Sequence, residues 1–245
     1  MNEFLHSHLY LFSQLLSLSL YIVGLAILFS YRKSILFASI VTTPQAFYAL
    51  FLVPDYWNPP RIMILGVGLE DFLFSFLSGG LIWMAVIFVM KKNIKFQISL
   101  IPVLIRFFYV CLFGLIFFVI LYLAGVKGIW NPFITMLAWS IFILLYRPGY
   151  QRIFFTVSVL SLLIYGFLLK IVFLLWPSVP MMWVSENLSG WFLMDIPLEE
   201  LIFAFLYGGS YSMALSFFFN LQVPSKKNGF LTKYKTGFPV LKKGC

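Results

Sequence analysis

Gly66-Val67-Gly68-Leu69-Glu70-Asp71-Phe72-Leu73-Phe74 is echoed later in the chain by Asp195-Ile196-Pro197-Leu198-Glu199-Glu200-Leu201-Ile202-Phe203. Each copy opens an apolar run that leads to a glycine pair, Gly79-Gly80 and Gly208-Gly209. The spacing is 129 residues from Glu70 to Glu199 and again from Gly80 to Gly209, so the copies match without a gap. Only 8 of the 245 residues are acidic, and four of the eight stand in these two pairs. Carboxyl groups are costly in lipid, so an ionisable residue inside a membrane span points to function.

The setting is a bilayer. The chain is 62% hydrophobic and 10% charged, with a mean hydropathy of +0.99, against roughly 25% charged residues in a soluble domain. The net charge of +9 does not read as a nucleic-acid surface, because the basic residues punctuate the apolar runs as topology signals do. Cys111 lies inside an apolar run and Cys245 ends the sequence, which gives neither a disulfide framework nor zinc spacing. Met1 to Leu9 carries Glu3, His6 and His8 rather than a basic leader, so no removable signal peptide is expected.

A helical span needs about 20 apolar residues. That rule gives seven, at roughly 9–30, 34–53, 67–90, 106–124, 129–146, 153–175 and 192–222, the last of these open to shortening. The segment 93–105, interrupted by Lys95 and Pro102, reads as an interfacial stretch. The fold expected is an all-α integral membrane protein with about seven transmembrane helices, built as two parallel three-helix repeats joined by a linking helix. The divisions are 1–92 for the first repeat, 93–128 for the linker and fourth helix, 129–223 for the second repeat and 224–245 for a basic tail. Seven spans place 14 of the 17 basic residues on one side, which marks it as cytoplasmic, and all the acids at or near the other. The amino terminus is then outside and the carboxyl terminus inside, in a multi-pass protein of the cell membrane.

Either acidic pair alone fits ordinary helix-start chemistry, since acids in a first turn complement the helix dipole. Two in-register copies at the same depth argue for more. Adjacent residues point about 100° apart on a helix, so one acid of each pair can face the bundle axis while its neighbour contacts another helix. A carboxyl held in a dry cavity favours its protonated form, and a buried carboxylic acid can give a proton and take one back.

At these motifs the chain resembles the lycopene cyclase domain family of bacterial, archaeal and fungal carotenoid pathways, in which each of two three-helix repeats carries a P-x-E-E or P-x-E-D phrase. Pro197-Leu198-Glu199-Glu200 matches the phrase in full, and Gly68-Leu69-Glu70-Asp71 departs from it only by Gly68 in place of Pro. The likeness takes in Asp55-Tyr56-Trp57-Asn58 and most of residues 1–223. It implies a redox-neutral cyclase that closes β-type end groups on a linear carotenoid, an intramolecular lyase or isomerase. Glu70, Asp71, Glu199 and Glu200 would be catalytic, Gly68 and Pro197 would be motif positions, and Trp57, Phe74, Trp191 and Phe203 would border the substrate. No cofactor and no metal are called for. The partners are a lipid-dissolved polyene and membrane lipids, with room for a homo-oligomer and no nucleic acid.

Two alternatives stand beside this. One is cyclisation of a modified or longer carotenoid. The other, from a different class, is a proton-coupled carrier or lipid-binding protein in which the four acids titrate. Elsewhere the sequence speaks softly. The glycine pairs suit close helix approach, Trp57, Trp183 and Trp191 suit an interfacial belt, and Arg106 and Lys170 suit snorkelling near span ends. Lys242-Lys243-Gly244-Cys245 resembles a retrieval signal in a tail already rich in lysine.

Overall fold

Apolar runs of this length can satisfy their backbone in lipid only as helices, and the computed structural model has seven among the residues it describes, 8–64, 66–90, 94–126 and 128–223. They are α1 (Leu9–Ile27), α2 (Phe29–Leu52), α3 (Leu69–Met90), α4 (Leu100–Leu123), α5 (Trp130–Tyr146), α6 (Gln151–Leu175) and α7 (Leu198–Phe218). All but the 17-residue α5 are long and apolar enough to cross a membrane. The expectations placed on Glu3, His6, Lys91, Lys92, Lys127, the tail 224–245 and its Cys245 lie outside the described residues.

Three boundaries differ from the sequence reading. Helix α4 begins at Leu100, because Pro102 falls in its first turn, where a missing N–H costs nothing; the interfacial stretch is correspondingly shorter. Helix α2 starts at Phe29, one residue after α1 ends, and tightens into a 3-10 helix over Thr43–Tyr48 around Pro44. The run from 192 does not enter the last span directly. Residues Phe192–Leu193 (β3) and Ile196–Pro197 (β4) form a hairpin first.

That hairpin has a twin. Met63–Ile64 (β1) and Val67–Gly68 (β2) pair as Met63 with Gly68 and Ile64 with Val67, and β3 and β4 pair as Phe192 with Pro197 and Leu193 with Ile196. Every partner is 129 positions from its counterpart. The helix that follows is latched alike in both copies, by Leu69 N–H to Ile62 O and by Leu198 N–H to Trp191 O, each at 2.9 Å. Met194 and Asp195 take positive φ of 55° and 64°, as a two-residue hairpin turn of this hand requires.

The repeats run parallel. At the end where α3 and α7 begin, the loops are stitched together by a bridge between Trp57 and Trp183 and by Asn58 N–H to Met182 O at 2.8 Å. At the other end Lys95 pairs with Gln222, and Gln97 N–H donates to Phe219 O at 2.8 Å. Midway, Ser78 Oγ and Tyr207 OH meet at 2.7 Å. These too are equivalent positions, 129 residues apart, and equivalent positions touch only near a two-fold axis. That axis runs between α3 and α7.

The glycine pairs seat each of these helices against the second helix of its own repeat. A methyl on Gly79 would overlap Thr42, and one on Gly80 would overlap Tyr21 and Ser39; on Gly208 and Gly209 it would overlap Ser161, Ser158 and Phe154. Thr42 Oγ1 also donates to Ser75 O at 3.1 Å, closing the α2–α3 seam. Helix α7 takes the centre, with 78% of its apolar window buried against 17% for α1. We expect Gly208→Val to cost about 1–3 kcal/mol through overpacking, read as a lowered melting temperature in detergent. The same change at Gly125, which has open space around it but a positive φ of 85°, tests backbone strain alone.

Candidate active site

The shared hairpins give the two acidic pairs one geometry. In each, the first acid turns out of the bundle axis and binds loop backbone. Glu70, with none of its surface exposed, accepts from Ile62 N–H at 3.2 Å through both carboxyl oxygens, and Glu199, 1% exposed, accepts from Ser189 N–H at 2.6 Å. These acids fasten the approach to the hairpin. Neither borders the cavity described next, and each accepts from loop backbone rather than from another helix; the about 100° step between adjacent residues separates the two acids of each pair.

The second acid of each pair, Asp71 or Glu200, faces a cavity of about 210 Å³ between the repeats. Their surroundings differ. Asp71 is ion-paired to Arg61 at 2.7 Å in a buried setting and also accepts from Gly68 N–H at 2.8 Å, with the Tyr10 phenol beside it. Glu200 is held by neutral donors: Tyr56 OH at 2.8 Å and Trp183 Nε1 at 2.8 Å on one oxygen, and Tyr165 OH at 2.6 Å on the other. Burial pushes the Tyr56 phenol far above its ordinary value, and the Glu200 charge raises it further, so Tyr56 stays a donor. Glu200 can therefore exchange a proton without breaking an ion pair.

The departure at Gly68 contributes to this asymmetry, together with Arg61, which stands where the second repeat has Gly190. Pro197 has no N–H to offer Glu200, whereas Gly68 gives one to Asp71. A Cβ on Gly68 would also sit 3.1 Å from Arg61 Cδ, Asp71 Oδ2 and Glu70 Oε2. Glycine thus supplies both a donor and the space through which Arg61 reaches its carboxylate.

Of the aromatics expected at the site, Trp57, Phe74 and Phe203 line the cavity. Trp57 stacks on Trp183 at 6.2 Å, and Phe203 lies 5.0 Å from the Tyr207 ring. Trp191 does not belong there. It is 72% exposed at the foot of the second hairpin, in the position Ile62 holds in the first, and its backbone is what is engaged, the carbonyl by Leu198 N–H and the N–H by Ser189 Oγ. The sequence reading missed Tyr10, Arg61, Tyr165 and Tyr207, and placed Trp183 in an interfacial belt with a cavity wall as the alternative. Arg61 carried a signal as one of the few cations at the acidic end, and Tyr165 as a lone phenol in the run Leu162 to Leu168.

A second, smaller cavity of about 100 Å³ adjoins the first and shares Phe74, Phe203, Tyr165 and Tyr207 with it. It continues between α3 and α6 as far as Ala85 and Val157. From Asp71 to Ala85 is 14 residues of helix, a reach of about 21 Å at the usual helical rise. Among the described residues no three His, Cys, Asp or Glu side chains gather as metal ligands.

Comparison with protein-family models, with curated proteins and with solved structures finds no match to this chain. The site therefore stands on its own geometry. Gly68→Pro, which would complete the P-x-E-D phrase, should nonetheless destabilise the protein by about 1–3 kcal/mol, because it removes a buried donor from Asp71 and crowds Arg61. Thermal melting in detergent checks this, with Pro197→Gly as the reciprocal change; a neutral or stabilising Gly68→Pro would contradict the account.

Proposed function

We propose that the protein is an acid–base isomerase that closes a ring at the end of a membrane-dissolved linear polyene, of lycopene cyclase type. The observation that carries this reading is the convergence of Asp71 and Glu200, one from each repeat, on a single aromatic-walled cavity inside a lipid-embedded bundle. Ring closure at a ψ-end adds a proton at C2, forms a carbon–carbon bond through a carbocation, and releases a proton from the new ring. Substrate and product are isomers, so no oxidant or reductant enters the balance.

In this reading Glu200 gives the proton and its conjugate base takes one back. Asp71, ion-paired to Arg61, faces the cation across the cavity, and the rings of Trp57, Phe74, Phe203 and Tyr207 offer faces worth about 0.5–2 kcal/mol each to a desolvated cation. Tyr56, Tyr165 and Trp183 hold the Glu200 carboxyl in one orientation. The adjoining cavity suits the rest of an extended polyene, laid lengthwise along the bundle with one end at the acids. The acidic end is the outer face in this reading and the basic end the cytoplasmic one, because the basic residues segregate to the latter.

A second reading, an oxygen-bearing polyene, draws on four cavity-lining residues. Gln14 Oε1, Gln45 Oε1, Trp57 Nε1 and Trp139 Nε1 are buried without hydrogen-bond partners among the described residues, and a hydrocarbon would satisfy none of them.

Expression in a lycopene-accumulating host, with pigments separated by chromatography, tests the proposal. Wild-type protein should yield cyclic carotenoid. Glu200→Gln should reduce it by roughly a hundredfold or more, the scale of losing a general acid, while the protein stays in the membrane. Ala85→Phe should suppress cyclisation of the long substrate and spare a short polyene bearing the same end group. Near-normal product from Glu200→Gln would overturn the assignment, and cyclisation of a hydroxylated polyene alone would favour the second reading.

A further inference from the structure

At the end of the bundle remote from the described acids, two guanidinium groups lie together, and no carboxylate among the described residues meets them. Arg106, half-buried on α4, donates from Nη1 to Phe218 O at 2.9 Å. Arg147, just past α5, donates from Nη2 to Asn220 Oδ1 at 3.1 Å. Their acceptors are two residues apart at the end of α7, and the two charges are close enough to repel. Each guanidinium carries five N–H donors, so most stay available. Arg147 Nε is buried and has no partner among the described residues.

Among the described residues no side-chain carboxylate is within reach. The seven described acids all belong to the opposite end, in or beside the hairpins and the loops that precede them. Between Glu200 and Phe218 lie 18 residues of α7, about 27 Å at the helical rise. Glu3, the eighth acid, precedes α1 and lies outside the described residues. Arg32, Lys33, Lys95 and Arg152 add further positive charge at the same end. Two like charges at a membrane boundary without a counter-ion call for an anion.

We propose that Arg106 and Arg147 form a binding site for the phosphate group of an anionic membrane lipid. The planar fork of arginine matches phosphate oxygens in paired hydrogen bonds, and basic pockets between spans at this depth are where lipid headgroups are held. A lipid, rather than a free anion, is favoured by the surface beside the pair. Tyr109, three residues on from Arg106 and so on its side of α4, is 62% exposed, which offers an acyl chain apolar surface next to the headgroup. The site is independent of the polyene cavity and of the reaction proposed for it.

Native mass spectrometry of the full chain, in detergent with equal phosphatidylglycerol and phosphatidylcholine, tests the proposal. Wild type should retain phosphatidylglycerol in preference by roughly tenfold or more. Arg106→Gln or Arg147→Gln should abolish the preference, and Arg152→Gln, which changes an exposed cation at the same end, should leave it intact. Arg147→Lys keeps the charge and loses the fork, so it should show an intermediate preference and serves if a glutamine variant does not fold. An equal loss in Arg152→Gln, or no preference in wild type, would overturn the site. Displacement of phosphatidylglycerol by millimolar inorganic phosphate would assign it to a free anion and overturn the lipid.

Discussion

A carboxyl group taken out of water must be met by donors or a cation, or the bundle that buries it loses several kcal/mol. This protein buries four at one end, and much of its architecture at that end answers the demand. Glu70 and Glu199 take backbone N–H groups from the loops and so fix the hairpins. Asp71 takes Arg61 and a glycine amide. Glu200 takes two phenols and an indole. Three of these elements, the Tyr56 loop, the Trp183 loop and α6, meet on Glu200, and the two loops are further stitched to each other by backbone hydrogen bonds. The acids are thus the reason that loops rich in Trp and Pro can hold one conformation at a membrane surface.

Duplication gives this arrangement its economy, and divergence gives it direction. Hairpin register, latch and glycine seat are the same in both halves, and the halves meet at Ser78 and Tyr207 near the axis. A symmetric pair of cavity acids would have no built-in distinction between the group proposed to exchange a proton and the one proposed to face the cation. Here the halves differ at the positions that matter, Gly68 against Pro197 and Arg61 against Gly190, and the consequence is an ion-paired carboxylate facing a carboxyl held by neutral groups. Environments that set two titratable groups apart are how acid and base roles are divided within one site.

The sequence carried the repeat, its offset, the helix count and the parallel order, because each depends on hydrophobic run length and on motif spacing. It also carried the inward acids as two alternatives per pair, since helical rotation allows only one of each to face the axis. What it could not carry was which one, because that depends on how the hairpin enters the helix, and two-residue strands leave too faint an alternation to read. Trp191 shows the same limit: it is adjacent to the motif in sequence, but the hairpin turns its side chain outward. Tyr165 and Trp183 come from elements with no motif of their own and reach Glu200 only through tertiary packing. Arg61 was visible as a cation on the wrong side of the charge segregation, and its meaning appeared only with Asp71 beside it.

The central claim is that a protein-held proton, and nothing else, starts ring closure. It is tested most directly by a single turnover in deuterated water, with the purified protein in excess over lycopene and equilibrated with solvent before mixing. The account predicts cyclic carotenoid with one deuterium at C2 for each ring closed and an unchanged oxidation level, formed without added nicotinamide or flavin. Ring formation with no deuterium at C2, or only when a reductant is supplied, would contradict it.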